Sequence, residues 1–413
     1  MDRFGKFLLK KKLLDNLADM EFFSPTEVQE LTIPEALKGS DLVVRSKTGS
    51  GKTGAFLIPI IEASAGSHMM ESLVITPTRE LAMQVSQVAL DLSKGMTFRL
   101  ATVYGGASIN RQIDELSKGV DMVVGTPGRI IDLMKRGHLS LKNVRTLVLD
   151  EADIMLDMGF IDDIEYIIRK IPERRQILML SASMPEGIVK LAGKFLKNYK
   201  YVSLSSDEKP VVESVFNTFV VSDNGNKVST LLAYFNEYSP EKSIIFVEQK
   251  RDAQKLYEIM RDMGVNSVVM HGDLTQAQRE KSLMEFRETT PVLIATNVAA
   301  RGLDITDVTD IINFDVPSDA TVYLHRVGRT ARFNRAGQAL TIVENDEIEL
   351  IENIERNLNI RMSSIKLNEE QFSGVPAIYE GRRFVRNSSP RSWQGNRGRQ
   401  RSTYSNQSRF RRR

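Results

Sequence analysis

The sequence predicts two α/β domains, each built on a doubly wound parallel sheet, followed by a disordered basic tail. Three observations predict this class. Short apolar runs alternate with helical patterns twice over, the chain has 413 residues, and its composition changes sharply near the end. This length exceeds the roughly 250–300 residues that a single hydrophobic core supports. Strands that alternate with helices of about 10–15 residues indicate βαβ units and parallel sheets. In such sheets ligands bind beyond the carboxyl ends of the strands.

The first half contains five strand candidates, each a short apolar run bounded by polar or turn residues. They are DLVV (41–44), SLVIT (72–76), MVVG (122–125), TLVLD (146–150) and ILMLS (177–181). Amphipathic helical patterns follow several of these runs. The helix candidates include 80–92, 129–135 and 186–196.

The second half repeats the same alternation with five further strand candidates. They are SIIFV (243–247), SVVM (267–270), VLIAT (292–296), DIINF (310–314) and ALTIV (339–343). Between the halves, SLSSDEKP (203–210) is polar and ends in proline, as a linker would. We therefore predict a first domain over 1–204, a linker over 205–211 and a second domain over 212–366. A C-terminal extension covers 367–413, and its disordered part begins at about 381.

The tail differs from the rest of the chain in charge. The formal net charge is +3, and residues 381–413 contain eleven Arg, no Lys and no acid, so the other 380 residues carry 3 − 11 = −8. Such a basic segment suits a polyanionic partner, although a tail that only aids solubility is the alternative. Four aromatic residues interleave with the arginines and favour contact with unpaired bases. They are Phe384, Trp393, Tyr404 and Phe410.

Composition excludes several classes of function. The chain has no cysteine, which rules out disulfides and thiolate metal sites and fits a reducing compartment. Its four histidines are scattered, so we expect no metal centre held by the protein alone. No apolar run approaches the ~20 residues that a membrane-spanning helix needs. The N-terminus lacks a small-residue cleavage site. We expect a cytoplasmic, monomeric protein.

The segment RSKTGSGKTGAF (45–56) follows the first strand candidate and precedes a helical pattern. It departs from the phosphate-loop pattern only at Ser46, where the strict pattern has glycine. Glycines allow backbone N–H groups to converge on phosphates, and Lys52 would reach the β- and γ-phosphates while Thr53 binds Mg²⁺. A glycine-rich turn that binds nothing remains the alternative. The other loop candidates are Thr48, Gly49, Ser50 and Gly51.

The run TLVLDEAD ends a predicted strand on three carboxylates. Asp150, Glu151 and Asp153 repel one another unless a cation or basic groups lie among them. Asp150 therefore suits Mg²⁺ binding, and Glu151 suits a base that orients an attacking water. A solvated acidic helix start is the alternative, since carboxylates also favour that position.

These residues resemble the DEAD-box RNA helicases over about residues 4–366. The DEAD tetrad is 150–153, and FFSPTEVQ (22–29) is similar to the family's Q motif, in which Gln29 would read both edges of adenine and Phe22 would lie against the base. Phe4 matches the family's isolated upstream aromatic. The remaining similar motifs are PTRELA (77–82), GG (105–106), TPGR (126–129), SAS (181–183), IIFVEQK (244–250), HGDLTQAQR (271–279), ATNVAARGLDI (295–305) and HRVGRTAR (325–332).

The resemblance also implies roles for the second half and for the RNA side. Arg329 and Arg332 would act as arginine fingers, although a solvated helix face remains the alternative, and Asp304 would hold the ribose. Ser181 and Ser183 would couple RNA binding to hydrolysis. The implied RNA-binding residues are Thr78, Arg79, Gly105, Gly106, Thr126, Arg129, Gln276, Arg279 and Thr296.

The resemblance implies an ATP-dependent RNA helicase that uses ATP and Mg²⁺, binds RNA without regard to sequence and separates short duplexes locally. Three positions depart from the family pattern: Lys47 replaces glutamine, Ala331 glycine and Ser183 threonine. These departures leave open how tightly RNA binding is coupled to ATP hydrolysis. The alternatives are an ATP-gated RNA clamp with little turnover and a DNA helicase. By analogy, a bacterial setting in ribosome assembly or RNA turnover is expected.

Overall fold

A computed structural model describes residues 3–47, 49–204, 215–222, 226–300, 305, 308–330 and 337–378. These residues form two seven-stranded sheets in which every strand pair is parallel. Helices cover both sheets, so the predicted fold class is confirmed. The predicted linker and the basic tail lie outside the described residues.

The first sheet has the strand order β3-β4-β2-β5-β6-β1-β7. Its five inner strands are the five predicted ones, with ends shifted by a few residues. The two edge strands were not predicted, because an edge strand is buried less completely and lacks the continuous apolar run of a central parallel strand. The strands are β1 Leu42–Arg45, β2 Met69–Ile75, β3 Leu100–Val103, β4 Val120–Gly125, β5 Thr146–Leu149, β6 Gln176–Ser181 and β7 Lys200–Ser203.

Helices lie on both faces of this sheet and bury two apolar clusters. Successive side chains of β1 point to opposite faces, so Leu42 and Val44 join one cluster while Val43 joins the other. The helices are α1 Lys11–Asp19, α2 Glu27–Leu37, α3 Lys52–Ala63, α4 Arg79–Leu92, α5 Ile109–Ser117, α6 Pro127–Lys135, α7 Ala152–Asp157, α8 Ile161–Ile168 and α9 Glu186–Phe195.

The second sheet has the strand order β10-β11-β9-β12-β13-β8-β14. Four of the five predicted strands lie in the interior, and the fifth, β10, forms one edge. The interior strand β8 and the strand β14 at the other edge were not predicted. The strands are β8 Val215–Val221, β9 Ser243–Val247, β10 Ser267–Met270, β11 Val292–Thr296, β12 Asp310–Asn313, β13 Gly337–Val343 and β14 Ser363–Ser364. The helices are α10 Lys227–Tyr238, α11 Lys250–Asp262, α12 Gln276–Glu288, α13 Asn297–Ala300, α14 Ala320–Val327 and α15 Ile348–Leu358.

Within the described parts of the chain, the helices are all too short or too polar to cross a bilayer. The polar segments singled out in the sequence follow the carboxyl ends of strands. The glycine-rich loop follows β1, the acidic tetrad follows β5, and TPGR follows β4. This is the edge at which doubly wound sheets bind ligands.

Candidate nucleotide and RNA site

The glycine-rich loop connects β1 to α3 in a conformation that only glycine adopts freely. Gly49 and Gly51 have φ of +81° and +98°, and Gly51 is the N-cap of α3. Lys52 is buried, and its Nζ donates to the carbonyl oxygens of Ser46 and Lys47, the latter at 2.8 Å. The ammonium therefore lies within the loop, as a phosphate-binding lysine requires.

Ser46 closes the loop at the position where the strict pattern has glycine. Its side chain is fully buried, and its Oγ donates to Ser50 Oγ at 2.6 Å. The departure from the pattern thus adds a bond across the loop and leaves the loop intact. Thr53, one residue into α3, is half-buried, and Thr48 lies outside the described residues.

Gln29 packs directly against this loop. Its side chain is 4% exposed, Oε1 accepts from Thr26 N at 3.0 Å, and Nε2 donates to Gly51 O at 3.1 Å. A Cβ at Gly51 or Gly54 would come within 2.8 Å or 2.7 Å of Gln29 Nε2, so both positions require glycine. An amide can make further hydrogen bonds through its second hydrogen and second lone pair. A base at this position could therefore still be read by Gln29.

The two aromatic candidates near this segment have different environments. Phe22 is 38% exposed and is free to lie against a planar ligand. Phe4 is 1% exposed and packs edge-on against Phe7 with 6.1 Å between ring centroids. Phe4 therefore anchors the N-terminal segment in the core.

The acidic tetrad begins at the end of β5, where two buried carboxylates lie side by side. Burial and the neighbouring Glu151 raise the pKa of Asp150 to about 7. Glu151 has φ of +53° and precedes α7, a left-handed conformation that costs a non-glycine residue roughly 1–3 kcal/mol. Its buried Oε2 has no hydrogen-bond partner within the described part of the chain. That oxygen is available to accept from a water.

Asp153 joins the tetrad to the SAS segment. Its Oδ2 accepts from the backbone N and the Oγ of Ser183, each at 2.8 Å, and Asp153 N donates to Ser181 Oγ at 3.2 Å. The serine that replaces the family's usual threonine thus keeps the hydroxyl contact. Burial alone would raise the pKa of Asp153, but the imidazole of His325 and these hydrogen bonds hold it well below its usual range.

His325 of α14 connects the second half of the chain to the tetrad. His325 Nε2 lies 3.6 Å from Asp153 Oδ2, and Arg329, one helical turn further along the chain, is 5% exposed. Helix α14 therefore approaches the carboxylates of the first half at His325. Arg332 and Asp304 lie outside the described residues.

Sequence reasoning missed the contacts of Arg326, which fix α14. Its Nε donates to Asn297 Oδ1 at 2.7 Å, its Nη1 donates to Asn313 Oδ1 at 2.9 Å, and its guanidinium lies 5.2 Å from the ring centre of Phe246. These partners come from three separate strand ends. Only the position inside HRVGR hinted at a role for Arg326.

On the RNA side, the first sheet presents arginines that lie over glycines. The guanidinium of Arg79 occupies the space above Gly106, where a Cβ would come within 2.1 Å of Nη1. Burial and the nearby Arg279 lower the pKa of Arg79. Gly105 lies beside the same guanidinium, and Thr78 caps α4 by accepting from Leu81 N at 3.3 Å.

Arg129 holds the neighbouring loop in place. Its Nη1 donates to Gln112 Oε1 at 2.9 Å and to Ala107 O at 3.4 Å. Thr126 at the start of α6 is half-buried, and Thr296 at the end of β11 is 7% exposed. The first-half candidates thus form one continuous edge, and Arg129 has protein partners as well as its predicted RNA contact.

The second half reaches this edge through α12. Arg279 Nη2 lies 2.8 Å from Glu80 Oε1, and the two side chains are only 12% and 6% exposed. Arg79 Nη1 lies 3.5 Å from Gln276 Oε1, a weak contact across the same interface. Gln276 and Arg279 were predicted to bind RNA, and the ion pair with Glu80 was not foreseen. No local pattern signals a contact between residues so far apart in sequence.

Comparison with known proteins identifies the family. Residues 26–191 match the DEAD/DEAH box helicase family, and residues 226–334 match the helicase conserved C-terminal domain. The chain is 40% identical over 378 residues to ATP-dependent RNA helicase CshA of Listeria monocytogenes, covering 91% of this chain and 72% of that protein. The chain belongs to the DEAD-box RNA helicases. It is an ATP-hydrolysing enzyme that acts on RNA.

Two solved structures show how the two halves of this helicase compare with relatives. S. cerevisiae Dbp5 bound to RNA and ADP BeF3 matches with a TM-score of 0.80 at 29% identity, covering 88% of this chain and 96% of that one. A DEAD box protein from Methanococcus jannaschii matches with a TM-score of 0.51 at 36% identity, covering 88% and 99%.

Proposed function

We propose that this helicase hydrolyses ATP in the cleft between its two sheets and separates short RNA duplexes locally as the cleft closes. One observation carries the proposal: the halves meet at two points, one on each side of the cleft. His325 approaches the acidic tetrad on the nucleotide side, and Arg279 pairs with Glu80 on the RNA side. Closure thus joins both predicted sites in one movement. The likeness to Dbp5 bound to RNA and ADP BeF3 supports this arrangement.

On the nucleotide side, each residue has a role that its contacts support. Lys52 binds the β- and γ-phosphates, Gln29 reads adenine, and Glu151 orients the attacking water through its unpartnered oxygen. Arg329 stabilises charge on the transferring phosphoryl group once the cleft has closed. Arg332 and Asp304 are proposed to complete the arginine pair and the ribose contact.

Mg²⁺ fits the oxygen donors present. Asp150 and Thr53 offer a carboxylate and a hydroxyl, which are ligands that Mg²⁺ prefers. The raised pKa of Asp150 means that its ionised form is disfavoured in the folded chain, and a bound cation would stabilise that form. When bound with ATP, the ion would neutralise charge on the phosphates. The protein's part is to hold Asp150 at the end of a buried strand.

The RNA strand is proposed to lie along the edge that carries Arg79, the 105–106 glycines and Thr126, and to continue past α12. Small residues there permit close approach of the sugar–phosphate backbone and its 2′-hydroxyls, which favours RNA over DNA and reads no base. Asp153 links this side to the nucleotide through Ser183, so RNA-dependent closure brings His325 to the tetrad.

The setting is proposed by analogy to be ribosome assembly or RNA turnover in the cytoplasm. The absence of cysteine from the sequence fits a reducing compartment.

The test measures ATP hydrolysis and displacement of a labelled strand from a short duplex, with RNA and DNA of equal sequence. We expect RNA to stimulate turnover, DNA to fail, and displacement to require ATP. Turnover that never displaces a strand would instead indicate an ATP-gated clamp. Equal stimulation by DNA would overturn the assignment of the RNA edge.

A further inference from the structure

We propose that the amino-terminal edge of the first sheet binds the phosphate backbone of an RNA segment that lies outside the cleft. We call this surface the basic edge and define it as Lys12, Lys94, Arg99 and Lys118, all exposed. The proposal goes beyond the proposed function, because none of these residues belongs to the nucleotide site or to the RNA edge described above.

The four residues come from separate segments that contact one another. Asn16 of α1 donates from Nδ2 to Lys94 O at 2.9 Å, which fixes α1 against the turn that follows α4. Lys12 Cε lies 3.0 Å from the position of a Cβ on Gly95, so Lys12 covers the residue next to Lys94. Arg99 Nη1 donates to Lys118 O at 3.2 Å. The fold therefore gathers these cations on one surface.

The basic edge lies opposite the catalytic edge. Arg99 immediately precedes β3, and Lys118 precedes β4 by two residues, so both lie at the amino ends of strands whose carboxyl ends carry the RNA candidates. A six-residue strand such as Val120–Gly125 spans about 20 Å. RNA on the basic edge would therefore leave the cleft free.

Among the described residues, no ion pair involves any of the four cations of the basic edge. Asp121, three residues after Lys118, is 2% exposed and is already bonded to His68 N at 2.7 Å, His68 Nδ1 at 2.8 Å and Arg99 N at 2.8 Å. Its charge is directed into the protein, while the cations face solvent.

The kind of partner follows from this chemistry. The chain outside the tail carries a formal net charge of −8, and the four cations of the basic edge are exposed and form no ion pair with the described residues. Lys and Arg side chains neutralise phosphates without reading bases, which suits a helicase that acts on RNA irrespective of sequence. We infer that the basic edge holds the part of a long RNA that extends beyond the cleft.

The test compares the full chain with the variant Lys12→Gln, Lys94→Gln, Arg99→Gln and Lys118→Gln. Binding is measured against salt for a strand of about 10 nucleotides, enough to fill one site, and for one several times longer. Each lost phosphate contact lowers the log–log salt slope by about 0.7, so the long strand should lose up to roughly 3. The short strand should keep its slope, and its stimulation of ATP hydrolysis should be unchanged.

A matched control removes four positive charges from exposed positions of the second half that lie outside α12. These are Lys255, Arg261, Arg361 and Lys366. The control should retain the long-strand slope. An equal loss in the control, or no loss in the test variant, would overturn the proposal. The proposal would also be overturned if the test variant kept its salt slope for RNA but lost binding to phosphatidylserine vesicles. That result would assign the basic edge to a lipid surface.

Discussion

Removing the charge of Glu80 tests the closed cleft most directly. Arg279 and Glu80 are nearly buried at the interface, and their contact is an ion pair, since neither Arg279 Nε nor Glu80 Oε1 has a hydrogen-bond partner among the described residues. Breaking a buried pair by removing one partner costs about 3–5 kcal/mol, because the other charge stays buried. Arg279 and Glu80 belong to different halves of the chain, so we expect only the closed state to bear this penalty. With a penalty of about 3 kcal/mol in the closed state, Glu80→Gln should lower the equilibrium constant for closure of the cleft by roughly 100-fold.

The assay is ATP hydrolysis as a function of RNA concentration. We expect Glu80→Gln to lower turnover at subsaturating RNA by about the same factor, while nucleotide binding without RNA stays near its original affinity. Glu80→Gln combined with Arg279→Gln should recover part of the loss, since no unpaired charge remains. The control is Glu186→Gln, whose partner Lys190 forms a pair with side chains 80% and 72% exposed. An exposed pair contributes about 1 kcal/mol or less.

An Arg279 that contacts RNA alone would give a different pattern. Glu80→Gln would then leave the RNA dependence of turnover unchanged, and Arg279→Gln alone would weaken RNA binding. Such a result would refute the ion pair as a determinant of closure.

Four further predictions concern the nucleotide side. Glu151→Gln should keep ATP binding, stop hydrolysis and trap the protein on RNA, and retained turnover would assign the water-orienting role elsewhere. Gln29→Ala should abolish the preference for ATP over GTP, measured as the ratio of apparent affinities. Arg329→Ala should leave nucleotide affinity intact but abolish RNA-stimulated turnover, because the contact forms only in the transition state. Asp150→Asn should abolish turnover. Without nucleotide it should raise the melting temperature at pH 8. Folding raises the pKa of the Asp150 carboxyl to about 7, so this group destabilises the folded state increasingly as the pH rises from about 4 to 7. The full penalty is of order 4 kcal/mol, and an unchanged melting temperature at pH 8 would contradict it.

The inner strands of the first sheet could be predicted from sequence because burial on both faces leaves a continuous apolar run. In the second sheet the inner strand β8 could not, since most of its residues are partly or fully exposed. The edge strand β3 (Leu100–Val103) could not, since Thr102 bonds to Ser86 on a partly exposed surface and interrupts that run. Strand β7 (Lys200–Ser203) alternates exposed tyrosine and lysine with one buried valine. The edge strand β10 (Ser267–Met270) could be predicted, because three of its four residues are buried and form a continuous apolar run.

The candidate site also contains residues that local sequence patterns predict and contacts that they do not. The glycine-rich loop and the tetrad are local patterns, and their residues lie together at the ends of β1 and β5. Contacts between distant segments had no such signal. Arg79 and Gln276 meet across 197 residues of sequence, and Arg326 gathers Asn297 and Asn313 from different strands. Such contacts depend on the arrangement of whole elements, which no local spacing records.

The residues that allowed the tetrad to be predicted from the sequence are energetically unfavourable in the folded chain. Asp150 is a buried carboxyl with a raised pKa, and Glu151 combines a left-handed backbone with a buried oxygen that lacks a partner among the described residues. Neither is needed to end a strand or start a helix, and apolar residues would stabilise the same junction better. Their cost is offset only when a cation, a water and a nucleotide occupy the site. A strand that ends on adjacent carboxylates therefore indicates chemistry more strongly than it indicates structure, which is why function could be inferred here before the full set of strands was known.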